Sequence, residues 1–206
     1  MYILQSFSRF SKIKESTLEF LQHRDDLSLD SLRANMLFKF DEKTGVKMFD
    51  TLIRGENLEA AVACARNIPD HLKDNYYHLM LKLLYNKDRK DKQKIIFFLK
   101  DCSSFSGKDL IVFAKDIAIN EKGRKTAIWA IGTAVDKMDY LDEFISWMKS
   151  DSYWLAHAAL QAMSRENNPK LLETYKWMLD KYPNDSTMLS NLKVAFNTLG
   201  IRMTDS

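Results

Sequence analysis

The 206-residue chain carries four histidines, two cysteines and four tryptophans, and their spacing decides which chemistries it can host. His71 and His78 stand seven residues apart, about two helical turns, too far to chelate one ion without a third element. No HExxH, EF-hand loop or CxxC accompanies them, so no metal site is expected. Cys64 and Cys102 lie in apolar, helix-like surroundings and read as buried free thiols of a reducing compartment. No serine sits in a GxSxG context, and the phosphate-cradling loops GxGxxG and GxxxxGK are absent. Asp139 and Asp142 form a carboxylate pair of the kind a surface helix commonly carries. Neither a catalytic residue nor a cofactor is expected.

Binding chemistry is better represented. Two late segments share the dipeptide Trp-Met, at Trp147-Met148 and Trp177-Met178. With Leu141 and Leu171 facing a core and about 100° of turn per residue, Glu143 and Glu173 fall opposite that core and Trp147 and Trp177 to its side. Glu143, Trp147, Glu173, Lys176 and Trp177 are thus expected to form a partner-binding stripe, aromatic anchors flanked by orienting charges. The competing reading is that both tryptophans wedge between helices as packing. A second set, Trp129, Trp154, His157, Gln161 and Arg165, lies off the apolar stripe of the preceding segments. His157 beside an aromatic reads as a surface or hydrogen-bonded residue. From Lys87 to Lys94 five basic residues alternate with two acidic ones. Lys87, Arg89, Lys90, Lys92 and Lys94, continued by Arg124 and Lys125, would contact phosphates, or else form a solvated helix start.

The elements that position these residues are helical. Composition is 46% hydrophobic and 29% charged, with only six glycines and three prolines, enough apolar material for one continuous core and little punctuation for hairpins. The net charge of +3 leaves partner class open. After an aromatic lead (Tyr2, Phe7, Phe10), a helix is predicted to about His23, and Ser28 or Asp30 is placed to cap the next. Gly45 and Gly55 are expected to bracket a short helix, and Pro69 to end the one begun at Leu58. Ser106 to Asp109 resembles a capping box, and Asn168-Pro169 places proline at a first helical position. Met188, Leu192, Ala195, Phe196 and Leu199 form a last helix, expected to cover the end of a stack. Short turns between short helices imply antiparallel neighbours in a single domain, 1–206. No apolar stretch approaches the roughly 20 residues of a membrane span, and no export signal is read at the start, so a cytoplasmic protein without membrane contact is expected.

Register then repeats. Ala127, Ala130, Ile131, Ala134 and Val135 recur in order and spacing as Leu155, Ala158, Ala159, Ala162 and Met163. The unit from Tyr153 to Arg165, followed by Asn168-Pro169 and Tyr175 to Leu179, resembles a short HEAT-type (HEAT/PBS-lyase-type) repeat, and the likeness is clearest over 125–182. It implies an all-α, right-handed α-solenoid of antiparallel helix pairs, ten to twelve helices in all, with second helices lining a concave surface. Such stacks mostly bind proteins. The leading expectation is a non-catalytic module that captures a partner protein, an inhibitor or immunity protein among them. The alternative is a DNA-binding protein related to the HEAT-like alkylpurine DNA glycosylases, for which Trp129, Trp154 and Asp136 are of suitable type. A third is a scaffold subunit docked through the aromatic lead.

Overall fold

The computed structural model describes residues 30–86 and 92–202, and among them every regular element is a helix. The aromatic lead and the first expected helix lie outside the described residues. The chain divides into two compact units at the Cys102/Ser103 boundary.

In the N-terminal unit, α1 (Asp30–Phe40) packs on α2 (Glu42–Thr51) and on α3 (Leu58–Cys64). Asp30 is buried in the first turn of α1, where it pairs with Arg33 at 3.2 Å and accepts a hydrogen bond from the Asn57 side-chain amide at 3.3 Å. Asn57 meanwhile caps α3 by accepting the Ala60 N–H. One buried carboxylate therefore ties the start of α1 to the start of α3, and its charge is balanced locally. Asp41 caps α2 through the Thr44 N–H. Gly45 does not border this helix as expected. It lies buried within it, where a Cβ would stand 2.6 Å from the Phe38 backbone nitrogen. Gly55, at φ 131°, does close the following π-helical turn, Leu52–Glu56.

Beyond Ile68, held extended at ψ 133° before Pro69, come the short α4 (Asp70–Lys73), α5 (Tyr77–Leu84) and α6 (Lys92–Lys100). Phe49 is fully enclosed, with Phe38 at 6.0 Å and the Tyr76 ring edge-on at 4.8 Å. Complete burial of such a ring contributes about 2 to 3 kcal/mol. Lys73 is buried as well, its ammonium 2.7 Å from Asp70 and 3.9 Å from Asp101.

The C-terminal unit comprises α7 (Lys108–Lys115), α8 (Glu121–Ile131), α9 (Leu141–Met148), α10 (Tyr153–Met163), α11 (Leu172–Lys181) and α12 (Ser186–Thr198). Helix α8 packs on α7 and α10, α10 on α9 and α12, and α11 on α9 and α12. The repeated register is visible in burial: Ala127, Ala130 and Ile131 match Leu155, Ala158 and Ala159 as interior residues, while the buried Ala134 corresponds to a half-buried Ala162. Val135 departs from it. Its counterpart Met163 is buried, whereas Val135 is fully exposed, because α8 stops at Ile131 and the chain turns before Val135 can face inward.

Polar caps open α8, α10 and α12: Asn120 accepts the Gly123 N–H, Ser152 the Leu155 N–H and Asp185 the Met188 N–H. Asn168 does the same for Lys170 ahead of Pro169, as the Asn-Pro pair leads one to expect. The capping box at Ser106 does not form. Gly107 occupies the N-cap of α7, and Asp136, distant in sequence, accepts both the Gly107 N–H (2.8 Å) and the Ser106 hydroxyl.

Because the obstruction at Gly45 is backbone, it cannot rotate away. Gly45→Ala is expected to lower the unfolding free energy by about 1 to 3 kcal/mol despite alanine's better helix propensity, read from urea denaturation.

Candidate functional site

The residues expected to form one stripe on the second helices have different fates. Trp147 follows Phe144 by three positions and turns inward with it. Its ring meets that of Phe144 edge-on at 5.4 Å and it is only 6% exposed, so it is a packing residue rather than an anchor offered to a partner. Glu143 is drawn to α7, where the Lys115 ammonium at 2.7 Å holds its carboxyl below the usual glutamate range. Glu173 and Lys176 are exposed and paired with each other at 2.9 Å. Trp177 remains half-buried, with the Lys181 ammonium 4.7 Å from its ring, and Lys181 also donates to the Ser150 carbonyl. Of the five, Glu173, Lys176 and Trp177 stay together on α11.

The basic residues also separate. Lys87, Arg89 and Lys90 lie outside the described residues, and Lys92 and Lys94 open α6 in the N-terminal unit. Arg124 donates to the Ala114 carbonyl at 2.9 Å and so fastens α8 to α7. Lys125 turns to α10, its ammonium 4.1 Å from the centre of the Trp154 ring. Both thiols are buried, and burial pushes Cys64 and Cys102 up to about 12, which leaves them protonated and unreactive at neutral pH. Among the described residues no group of three or more His, Cys, Asp or Glu is placed to hold a metal ion, and no helix is long and apolar enough to cross a membrane.

Convergence occurs on the other face, over the first helices. An open cleft of about 360 Å³ runs across α8, α10 and α12, with Trp129, Gln161, Arg165 and Asn191 among its lining residues. Gly132 sets its floor. A Cβ there would stand 2.4 Å from the Ala162 Cβ, so only glycine lets the ends of α8 and α10 close to this distance. Lys137 and Glu166 bridge the rim at 2.6 Å and neutralise each other. Arg165 is exposed and meets no carboxylate among the described residues.

Two turns along α10, Trp154 is half-exposed. His157 stacks on Tyr153, with Asn191 3.4 Å from its Nε2, while its buried Nδ1 has no hydrogen-bond partner among the described residues. Burial and then the Lys125 charge hold the imidazole below its ordinary pKa of 6.5, so it is neutral at pH 7. The cleft thus offers one aromatic wall, Trp129, with side-chain amides and a guanidinium that meets no carboxylate among the described residues. Those are means of recognition. The carboxylate suggested for DNA chemistry, Asp136, serves as the cap of α7. Although partial burial opposes it, hydrogen bonds from Ser106 and Gly107 hold its carboxyl below the usual range.

Trp129, Gln161 and Arg165 were visible in the sequence as a set off the apolar stripe. Asn191 was not, because the last helix reads as a cover and its polar positions as solvent-facing. In the structure Asn191 is half-buried and Val194 exposed, beside the buried Leu192 and Ala195.

Two substitutions probe these placements. Trp147→Ala is expected to cost about 3 to 5 kcal/mol of stability and Trp177→Ala less than about 1 kcal/mol, measured by thermal melts. Asp136→Ala should cost about 1 to 2 kcal/mol at neutral pH. Since folding lowers the Asp136 pKa from 3.8, its contribution is complete above that value and is lost as the pH falls through the folded pKa. Wild type and variant should therefore converge in strong acid, which urea titrations at neutral and acid pH would show. Comparison of the chain with family models, with curated proteins and with solved structures finds no match.

Proposed function

We propose that this chain is a non-catalytic protein-binding module, a right-handed HEAT-like α-solenoid of antiparallel helix pairs that captures a partner protein on its surface. The observation that carries the reading is the face over α8, α10 and α12, where Trp129 and Arg165 line an open cleft and the half-exposed Trp154 stands two turns away along α10. Large aromatics and arginine are the residues that dominate protein interfaces when they stand partly free at a surface. The solenoid part of the reading draws on the repeated register and on the succession of first helices, α8 on α10 and α10 on α12, with second helices α9 and α11 also in contact. Glu173, Lys176 and Trp177 on α11 supply a second contact zone. A cytoplasmic inhibitor or immunity protein fits this combination of a binding face, two free buried thiols and chemistry limited to recognition.

The DNA-binding alternative draws on the same two tryptophans. Against it, the cleft holds a paired Glu166 at its rim, and Asp136 is engaged as a helix cap.

Affinity capture from native lysate, with and without nuclease, tests the proposal. A stoichiometric protein should persist after nuclease and moderate salt. Trp154→Ala should weaken its capture by about 2 kcal/mol, roughly thirtyfold in Kd, without loss of helical signal. Recovery of nucleic-acid-dependent species alone would overturn the reading in favour of the DNA alternative.

A further inference from the structure

We infer that His157 is an acid-sensitive latch between α10 and α12, and that protonation of its imidazole loosens α12 while the rest of the C-terminal unit stays folded. The ring lies where several elements meet. It stacks on Tyr153 of its own helix at 6.1 Å, and Tyr153 is in turn edge-on to Tyr182, just past α11. Across from it stands Asn191 of α12, whose amide nitrogen is 3.4 Å from Nε2 and 2.9 Å from the Thr187 carbonyl. A carbonyl only accepts, so the Thr187 contact fixes the nitrogen of the amide, not its oxygen, toward the ring. Nε2 is then the acceptor, and the single proton of the neutral imidazole falls on Nδ1. That atom is buried and has no hydrogen-bond partner among the described residues.

Protonation disturbs both nitrogens. At Nε2 it sets a donor against the Asn191 donor, and turning the amide to relieve that conflict gives up the Thr187 bond. At Nδ1 it leaves the N–H of a cation buried and unpaired, which costs more than a neutral one in the same place. Burial opposes the charge most, Lys125 of α8 opposes it too, and Asp185 at the start of α12 favours it. Neither α9 nor α11 adds a charge that acts on the ring among the described residues. Asp185 is no ready partner, because its carboxylate already accepts the Met188 N–H and the Tyr153 hydroxyl. The folded ring therefore titrates below its ordinary 6.5. Its contribution is complete above that value and is lost as the pH falls from there through the folded pKa. Of the two helices α12 is the one that yields: α10 is also packed by α8 and α9, whereas α12 is held on α10 and α11 through Met188, Leu192, Ala195 and Phe196.

The test is hydrogen exchange of the whole chain at about pH 7.5 and about pH 5, corrected for the intrinsic effect of pH on exchange, with an NMR titration of the His157 ring alongside. His157 is the one histidine between residues 103 and 206. Asp136 and Asp185, whose folded pKa values lie below 3.8, stay ionised over this range. Between the two conditions α12 should lose about threefold or more of its protection while α7 and α8 keep theirs. His157→Phe, which retains a ring to stack on Tyr153 but does not titrate, should abolish that loss. Asn191→Asp, which presents an acceptor to Nε2, should raise the His157 midpoint and shrink the loss. A wild-type midpoint at or above 6.5, protection of α12 that is unchanged or falls equally in every helix, or an acid loss that persists in His157→Phe would each overturn the inference. Should His157→Phe fail to fold, the wild-type midpoint and Asn191→Asp decide the matter.

Discussion

The C-terminal unit depends on how closely α8 and α10 approach. At Gly132 and Ala162 there is no room for another carbon, and interior alanines continue the seam at Ala127, Ala130, Ala158 and Ala159. Small side chains bring helix backbones together, and the larger residues on either side must then point away from the seam. Trp129 is one of these. It reaches the same opening as Gln161 and Arg165 because the helices that carry them are held at so short a distance. The aromatic wall and the guanidinium are thus consequences of the seam, and a bulkier residue at Gly132 would part them before it touched either.

A second constraint acts across the sequence. The carboxylate of Asp136 terminates the donors of α7 by binding the Ser106 hydroxyl and the Gly107 N–H, with the Tyr140 hydroxyl 3.4 Å from the same carboxylate. The turn between α8 and α9 is thereby fastened to the start of α7. In the N-terminal unit Asp30 plays a comparable part, joining α1 to the cap of α3 through Asn57. In both units a single acidic side chain sets the relation between helices that are remote in the chain.

Much of this was legible in the residues. Helical periodicity marked the interior positions of α8 and α10, and Asn168-Pro169 marked a helix start, whereas the caps at Asn120, Ser152 and Asp185 come from the structure. What escaped required a partner from elsewhere. Ser106 to Asp109 has local capping chemistry, yet the N–H at Gly107 is taken by a residue that no local window contains. Gly45 reads as punctuation when only its own helix is considered, and as a contact once α1 lies against it. Trp147 and Trp177 are alike in sequence context, and the difference between them arises from their surroundings: Phe144 encloses one, and Lys181 covers part of the other. The face over α8, α10 and α12 was half legible for the same reason. Its α8 and α10 residues stand off an apolar stripe, while Asn191 joins them only through packing.

The burial of Lys73 has a consequence for the covalent accessibility of the chain. Its ammonium is enclosed between Asp70 and Asp101 with 7% of the side chain exposed, so an acylating reagent or enzyme that reaches surface lysines meets no free amine there while the N-terminal unit is closed. Acylation would also remove the charge on which both ion pairs depend, and a side chain once modified could not return to its place. Acylation at Lys73 would therefore require the side chain to leave its place first.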